Sequence, residues 1–432
     1  MTRERFDGLI FLFLGGLLFL ALGYLQEVSV PIRTSDFKPL YYSARTLIEH
    51  RDPYNAAEVL RVFRAEGGDS PAYTELDRSV ATVDLYLPSA FAISLPLAML
   101  CWAQAQALWI LLMAASNLLA ALLIWQAGAR HAPLLSGVLT GFWLANNELL
   151  FITGNPGGLA VGLCIIAVCC ILEDRLPLAG IACLALSLAL KPQDAALVWL
   201  GLLLAGGVYR KRAWQTLAAV GALAPPALVC TLLVSPHWLQ EFLASYRAFS
   251  APGGINDPGA GSPGAYGIAV ITSLQRVVSF FCHAPGVYNP ICFLLYAPML
   301  AAWAVLAHKK RPTLEAVWLS LAAAAALAMV STYHRQYDAK LLLLAVPPCA
   351  MLWAGKGRFK NAALAVTAFA IFLNGDLPWE VYQAWVRQIH PPMAGFWGGL
   401  ALMGMFFPVP LMLLTSGFFY LRVAAQSGKQ AP

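Results

Sequence analysis

The sequence predicts an all-α polytopic membrane protein with about twelve transmembrane helices, and three observations predict it. Of its 432 residues, 59% are hydrophobic and only 12% are charged. The mean hydropathy is +0.67, and the chain repeatedly runs apolar for 15 to 20 residues. Such a composition excludes a water-soluble or disordered protein. A disulfide scaffold is excluded as well, because most of the nine cysteines lie inside apolar runs.

Thirteen apolar segments follow one another along the chain. Their approximate bounds are 9–28, 87–101, 104–127, 134–150, 157–172, 177–190, 194–209, 213–234, 287–307, 314–331, 339–354, 361–375 and 396–421. Several segments between 87 and 209 are shorter than the about 20 residues that cross the hydrocarbon core. We therefore expect one of these short segments to be re-entrant, half-length or merged with its neighbour, which gives about twelve spans within a range of 11 to 13.

The basic residues predict the orientation of these spans. They form short clusters at 210–212, 309–311 and 356–360, between apolar runs, and do not form one patch that would bind nucleic acid. Lys and Arg accumulate in cytoplasmic loops, so we expect both termini inside. The first apolar run has no small-residue cleavage site behind it, and we interpret it as an uncleaved span. The chain is then one integral domain, 1–432, of the cell inner (plasma) membrane.

Two long outer loops are expected from this orientation. The first, 29–86, holds nine acidic and seven basic residues, and its apolar spacing predicts interfacial helices at 39–50 and 56–66. The second, 235–286, opens with an amphipathic piece and continues as APGGINDPGAGSPGAYG. So much Gly and Pro is typical of a mobile loop.

The string SDFKPLYYSARTLIEHRDPYN at 35–55 lies at the predicted outer surface just after the first span. Asp36 is placed where hydrocarbon gives way to water. A carboxylate there is either a functional group or a salt-bridge partner of Lys38 or Arg45. The Asp-Pro-Tyr sequence at 52–54 is either an ordinary turn that starts a helix or part of a functional site.

Two further strings combine charges with apolar runs. STYHRQYDAKLLLL at 331–344 is either an ordinary charged loop or an anion or phosphosugar cradle, in which Arg binds phosphate and aromatic rings face a sugar. In LALKPQDAAL at 188–197, Lys191 interrupts an apolar run; it either snorkels to the surface or has a function. Helix-end hydrogen bonding accounts for the polar residues at 146–148 and 155–158.

Taken together, these strings resemble glycosyltransferase family 87. The resemblance consists of DFxxxYYxAR and then DPY after the first span, YLPSAF at the second, KPQ in mid-chain and YHRxYD in the last third. It covers about 9–345 in order. GNPGGL at 154–159 departs from the Gly-Gln-x-Asn type of turn expected in the family. The resemblance implies the GT-C fold and a hexosyltransferase, of the kind that builds mannosylated lipids.

The resemblance also implies a reaction and a set of residues. A hexose, with mannose the first choice, would pass from a polyprenyl-phosphate donor to a glycolipid or glycan acceptor on the outer face, with inversion and without metal or cofactor. Asp36 takes the position of the catalytic carboxylate. The expected ligands of the donor phosphate are Lys191, Arg335, Lys340 and Arg45. The expected contacts of sugar or acceptor are Phe37, Tyr41, Tyr42, Asp52, Tyr54, Gln193, Tyr333, His334, Tyr337 and Asp338.

The expected reaction needs only one catalytic carboxylate. Displacement at the anomeric carbon needs a base for the acceptor hydroxyl, whereas a phosphate leaving group needs no general acid. The Gly/Pro-rich segment 252–267 would be a mobile lid. Two alternatives stay open. A transporter or flippase of lipid-linked sugars would require charged residues deep inside several spans. A polymerase or ligase of surface polysaccharide would require more arginines on the outer side than this chain offers. We expect a monomer among membrane lipids, with no nucleic-acid partner.

Overall fold

The all-α class is confirmed. The computed structural model describes residues 2–29, 34–70, 73–83, 85–259, 262, 269–308, 313–331, 333–389 and 395–427. Within these ranges the chain forms helices, and the one β-type pairing is an isolated antiparallel bridge between Ile271 and Arg335. The predicted basic cluster at 309–311 and most of the second half of the predicted lid lie outside the described residues.

The helices succeed one another with short breaks. Their bounds are α1 Arg3–Ser29, α2 Phe37–Ile48, α3 Ala56–Phe63, α4 Glu75–Ala81, α5 Pro88–Ala98, α6 Trp102–Gly128, α7 Pro133–Ala145, α8 Leu149–Thr153, α9 Pro156–Leu172, α10 Pro177–Leu190, α11 Pro192–Ala205, α12 Gly207–Val234, α13 Trp238–Ser250, α14 Gln275–Ser279, α15 Pro285–Ala307, α16 Leu314–Ser331, α17 Val346–Ala354, α18 Lys360–Leu373, α19 Asp376–Ile389, α20 Phe396–Phe406 and α21 Pro408–Ser427. A π-helical turn, Arg64–Gly68, follows α3, and a 3-10 helix, Ala339–Ala345, precedes α17.

The protein is an integral membrane protein by the length and composition of its helices. In the described part of the chain, six helices are long and apolar enough to cross a membrane, namely α1, α6, α12, α15, α16 and α21. The pair α18 and α19, bent by 59°, adds a seventh if it forms one span. Helices α9, α10 and α11 are apolar but have only 14 to 17 residues. The number of spans therefore stays a prediction.

The core lies around two helices. Helix α9 buries 15 of its 17 residues, and α16 buries 13 of its 18. Helices α12 and α15 are at the periphery, because only four residues of each are buried. A helix that is apolar on all sides and buried belongs to the interior, and one that is apolar but exposed fits a lipid-facing position.

Helices α1 and α7 cross in direct backbone contact. A Cβ atom added at Gly15 would collide with the backbone of Gly141, and one added at Gly137 would collide with the backbone of Gly8. Small residues permit such a close approach, and dispersion contacts between backbones then hold the pair together. This crossing fixes the position of α1, which leads toward Asp36, against α7, which leads toward Asn155.

The segment 29–86, which we predict to be the first outer loop, packs against neighbouring helices through its described residues. Helix α3 lies within the predicted stretch 56–66, and α2 overlaps the predicted stretch 39–50 but begins and ends two residues earlier. Helix α2 buries 10 of its 12 residues, so it is covered on nearly all sides. In the second outer loop, α13 has no buried residue, and its described continuation at 251–259 consists of bends and turns.

Candidate functional site

Asp36 immediately precedes α2, and neutral groups hold its backbone and its side chain. Its N–H donates to the carbonyl of Thr153 (N···O 2.7 Å), and its carbonyl accepts from the Tyr86 hydroxyl (2.8 Å). The carboxylate is half-buried. Its Oδ2 accepts from Asn155 Nδ2 at 2.6 Å, and its Oδ1 accepts from the Ser35 hydroxyl at 3.1 Å. The carboxylate is therefore fixed in place without a cation.

The two cations predicted as salt-bridge partners of Asp36 have other partners. Lys38 forms a buried ion pair with Asp77, and Arg45 Nε lies 3.0 Å from Glu66 Oε1. Over the described ranges, no cationic nitrogen lies within 4.0 Å of the Asp36 carboxylate. A salt bridge to either of these two cations therefore does not account for the charge of Asp36.

Asn155 connects Asp36 to a buried lysine. Its Oδ1 caps α9 by accepting from the Gly157 N–H at 2.8 Å, and the same oxygen lies 3.4 Å from Lys191 Nζ. Its Nδ2 is left to donate to Asp36. The oxygen faces two donors and the nitrogen faces a carboxylate, so the amide has one orientation that satisfies all its neighbours.

Lys191 lies at the break between α10 and α11, where Pro192 prevents the helix from continuing. Its Nζ contacts Asp338 Oδ1 and lies 3.6 Å from Asp194 Oδ2. The site leaves no room for a side chain beside it. A Cβ at Gly157 would overlap Asp338 Oδ1 and lie 2.7 Å from Lys191 Nζ.

Asp194, His334 and Asp338 form a buried triad. Their side-chain oxygen and nitrogen atoms lie within 4.8 Å of one another, a spacing that suits metal ligands. His334 Nε2 is 3.2 Å from Asp194 Oδ1. However, the ammonium of Lys191 contacts Asp338 and is paired with Asp194, so it already offsets much of their negative charge. This cluster fits an internal ion-pair network better than a metal centre.

Arg335 ties the second outer loop to the site. Its Nη1 and Nη2 donate to the carbonyls of Ala269 (2.9 Å) and Ile255 (2.7 Å), and its Nε donates to the Tyr333 hydroxyl. Burial acts to lower the pKa of Arg335, but Tyr333, Tyr337 and the Asp36 carboxylate outweigh it and raise that pKa above its ordinary value. Arg335 therefore stays charged and lies within the electrostatic field of Asp36.

An aromatic wall stands behind Asp36. The ring of Phe37 stacks on Trp109 with centroids 4.4 Å apart and also on Trp102 at 5.8 Å. Tyr41 and Tyr42 are fully buried against the same rings. These three predicted sugar contacts pack against protein, and their role with a ligand stays a prediction.

The remaining predicted contacts lie at different depths. Asp52 accepts from the backbone N–H of Tyr54 at 2.9 Å, which is the turn expected from the Asp-Pro-Tyr sequence. The buried hydroxyl of Tyr54 donates to the Tyr86 carbonyl at 2.7 Å. Gln193 is exposed in the first turn of α11, two residues from Lys191. Gln193 is therefore the accessible member of this group beside the ion-pair network.

Lys340 belongs to a second, separate cluster. Its Nζ donates to Asp376 Oδ1 (2.6 Å) and to the carbonyls of Asn146 (2.7 Å) and Asn374 (3.1 Å). All three donors of the ammonium are thus engaged within the protein. That Lys340 binds a donor phosphate stays a prediction, and it would require the exchange of one of these partners.

The structure thus brings six of the predicted residues to one place and separates others from them. Those that meet around Asn155 are Asp36, Lys191, Arg335, Tyr333, Tyr337 and Asp338, with His334 behind them. Arg45 and Lys340 have their own ion pairs elsewhere. Sequence reasoning missed Asn155, Asp194 and Tyr86 as members of the site. An Asn before Pro-Gly-Gly indicates a helix cap. The local sequence does not indicate that the same side chain also contacts Asp36.

No protein-family model, no curated protein and no solved structure matches this chain. The helices and their apolar composition define an all-α integral membrane protein. The particular family stays a prediction from the motifs.

Proposed function

We propose that this protein is a membrane glycosyltransferase that moves a hexose, with mannose the first choice, from a polyprenyl-phosphate donor to a lipid or glycan acceptor. The observation that carries the proposal is the state of Asp36. Asp36 is half-buried; two neutral groups hold its carboxylate, two more hold its backbone, and no described residue gives it a cationic partner. A carboxylate that is oriented but not neutralised is suited to accept a proton.

In the proposed reaction, Asp36 takes the proton of an acceptor hydroxyl while that oxygen attacks the anomeric carbon. The bond between this carbon and the phosphate oxygen breaks, and the polyprenyl phosphate leaves with the electron pair. One displacement inverts the anomeric centre. Asn155 would hold the base toward the acceptor, and the engaged amide prevents it from swinging away.

Charge on the leaving phosphate needs stabilisation by fixed cations. Lys191 and Arg335 are the two candidates beside Asn155 and Asp36. Arg335 uses one N–H on each of its three nitrogens within the protein. Among the described residues, the other two of its five N–H groups have no partner and would donate to a phosphate oxygen. Gln193 and the hydroxyl of Tyr337 would contact the sugar or the acceptor. The site would face outside the plasma membrane, as the positions of the basic turns predict.

The test is donor-dependent transfer by the purified full chain in nanodiscs. The protein is given radiolabelled polyprenyl-phosphate mannose or nucleotide-diphosphate mannose, with a membrane lipid extract as acceptor. We expect label in a larger glycolipid from the polyprenyl donor alone. Asp36→Asn should lower the rate about 100- to 10,000-fold while insertion and melting temperature stay the same.

Asp69→Asn is the matched control, because Asp69 is an exposed acid of the same loop that pairs with Arg64. This variant should transfer label at the unaltered rate. Undiminished transfer by Asp36→Asn would overturn the assignment of the base. Movement of intact lipid-linked sugar between leaflets, with Asp36→Asn unaffected, would replace the enzyme with a flippase.

A further inference from the structure

A second concave site lies at the end of the helix bundle away from Asp36. It is a cavity of about 520 Å³ lined by Arg5, Trp125, Gln126, Arg130 and Arg175. These residues come from the first turn of α1, the last turn of α6 and the turns that follow α6 and α9. The opposite ends of α6 and α9 lie beside Phe37 and Asp36. Helix α1, with 27 residues, is about 40 Å long, so the two sites are separated by the bundle.

The charge of this cavity is not balanced from within. Of its three guanidinium groups, that of Arg130 pairs with Glu173. Asp174, the next acid, pairs with Arg212 at 3.7 Å. Within the described part of the chain, neither Arg5 nor Arg175 has a carboxylate oxygen within 4.0 Å. Three arginines that line one cavity, two of them without a carboxylate partner in the described part of the chain, provide a site for an anion with several oxygens.

The apolar surfaces around the cavity indicate which kind of anion it binds. Trp125, which is 8% exposed, forms an apolar wall. Directly beyond Arg5, α1 presents large exposed apolar side chains, including Phe6 at 53% and Phe13 at 69%. A ligand with a phosphate at the arginines and hydrocarbon chains along α1 would satisfy both surfaces. Basic pockets between helices at the membrane surface bind lipid headgroups in this way.

We propose that the cavity lined by Arg5, Arg130 and Arg175 binds the phosphate headgroup of an anionic membrane lipid. The phosphate would accept hydrogen bonds from Arg5 and Arg175, and Arg130 would contribute while it remains oriented by Glu173. The site is independent of the proposed transferase reaction, because it lies at the other end of the bundle and needs no group near Asp36.

The experiment is lipid binding by native mass spectrometry of the purified full chain in detergent. The probes are phosphatidylglycerol, phosphatidylcholine of the same acyl chains, and soluble glycerol 3-phosphate. We expect phosphatidylglycerol to bind at least about tenfold more tightly than phosphatidylcholine, and the Arg5→Gln/Arg175→Gln variant to lose about tenfold or more of that affinity. Glycerol 3-phosphate should not compete at equal concentration.

The matched control is Lys211→Gln/Lys356→Gln, which removes two exposed charges at the same end but outside the cavity, one at the start of α12 and one between α17 and α18. Its affinity for phosphatidylglycerol should change less than about twofold. If the arginine variant and the lysine variant lost equal affinity for phosphatidylglycerol, the attraction would be diffuse and not due to this cavity. Equal binding of phosphatidylglycerol and phosphatidylcholine would overturn the proposal. Competition by glycerol 3-phosphate would assign the cavity to a soluble phosphate ester. Arg5→Lys/Arg175→Lys, which keeps the charge and the fold, should retain part of the affinity.

Discussion

Asp36 and Asp376 are two carboxylates at helix starts that follow a break, and the protein treats them in opposite ways. Asp376 is fully buried. Its Oδ1 lies 2.6 Å from Lys340 Nζ, and its Oδ2 accepts from the Leu149 N–H at 3.0 Å. Asp36 is half-buried and is held by the amide of Asn155. Asp376 has a cationic partner and is closed off, whereas among the described residues only neutral groups orient Asp36.

The difference between their partners distinguishes a carboxylate that stabilises a membrane protein from one that is suited to react. A buried ion pair ties chain segments together, because removal of one partner leaves an uncompensated charge. The Lys340 cluster connects the breaks after α7 and α18 in this manner. An amide partner orients a carboxylate at much lower cost to its reactivity. We therefore expect changes at Asp36 to affect chemistry and changes at Asp376 to affect stability.

The largest expected effect sets these two carboxylates against each other. Asp36→Asn should reduce transfer about 100- to 10,000-fold and leave the unfolding temperature in detergent unchanged. Lys340→Met should destabilise the protein by about 3–5 kcal/mol, because Asp376 is left charged and buried. Thermal unfolding and transfer assays on both variants measure the two effects. If Lys340→Met retained full stability, the comparison would fail.

A double variant sharpens that result. Lys340→Met/Asp376→Leu removes both charges and should recover part of the lost stability, since replacement of a whole buried pair is much less costly than breaking it. Recovery stays incomplete because the Leu149 N–H loses its acceptor. Unfolding temperatures of the single and double variants measure the recovery. A double variant less stable than Lys340→Met would contradict the ion-pair interpretation.

The next effect concerns the space beside Lys191. Gly157→Ala would push a Cβ into Asp338 Oδ1 and Lys191 Nζ and displace the network that holds Asn155. Misplacement by about 1 Å commonly costs on the order of 100-fold in rate, so transfer should fall by about that factor. Gly221→Ala is the control, because nothing lies within 4 Å of a Cβ at that helical glycine. Similar rates in the two variants would mean that the network has no part in transfer.

A smaller effect separates the two tasks of Asn155. Asn155→Ser keeps a good N-cap for α9 but is too short to reach Asp36. A hydrogen bond to a charged group contributes about 1.5–3 kcal/mol, so transfer should fall about 10- to 100-fold with little loss of stability. Asn155→Ala should show the same rate and lose about 1 kcal/mol more stability. Full activity of Asn155→Ser, measured in the transfer assay, would remove Asn155 from the site.

The smallest effect concerns a third, paired carboxylate in the first outer loop. Burial acts to raise the pKa of Asp77, but hydrogen bonds from Lys38 and Thr74 outweigh it and lower that pKa below its ordinary 3.8. A lowered pKa in the folded state contributes stability above the unfolded value, and this contribution is lost as pH falls through the folded value. The difference in melting temperature between the protein and Asp77→Asn should therefore be constant from pH 7 to about 5 and shrink below about 4. If the difference in melting temperature grew as the pH fell, it would contradict a lowered pKa of Asp77 in the folded state.

The sequence alone predicted the class of fold, because composition and the length of apolar runs constrain a membrane protein strongly. It also singled out Asp36, Lys191 and the segment 333–338, which lie close together in the structure. It could not identify what they contact. Asn155 and Asp194 look like ordinary first-turn and cap residues, and their partners are brought together by tertiary packing of broken helices. The pairing of Lys340 with Asp376 was equally hidden, since nothing local distinguishes it from an unpaired lysine.

The crossing of α1 and α7 has a consequence for biosynthesis. The glycines in contact, Gly15 and Gly141, are separated by more than 100 residues of chain. At about 5–20 residues per second, α1 waits on the order of 6–25 seconds before its partner is synthesised. Throughout this interval its glycine-lined face has no backbone to pack against. The halves of the Asp36 site are assembled on the same schedule, so a folding helper that shields α1 would act in that window.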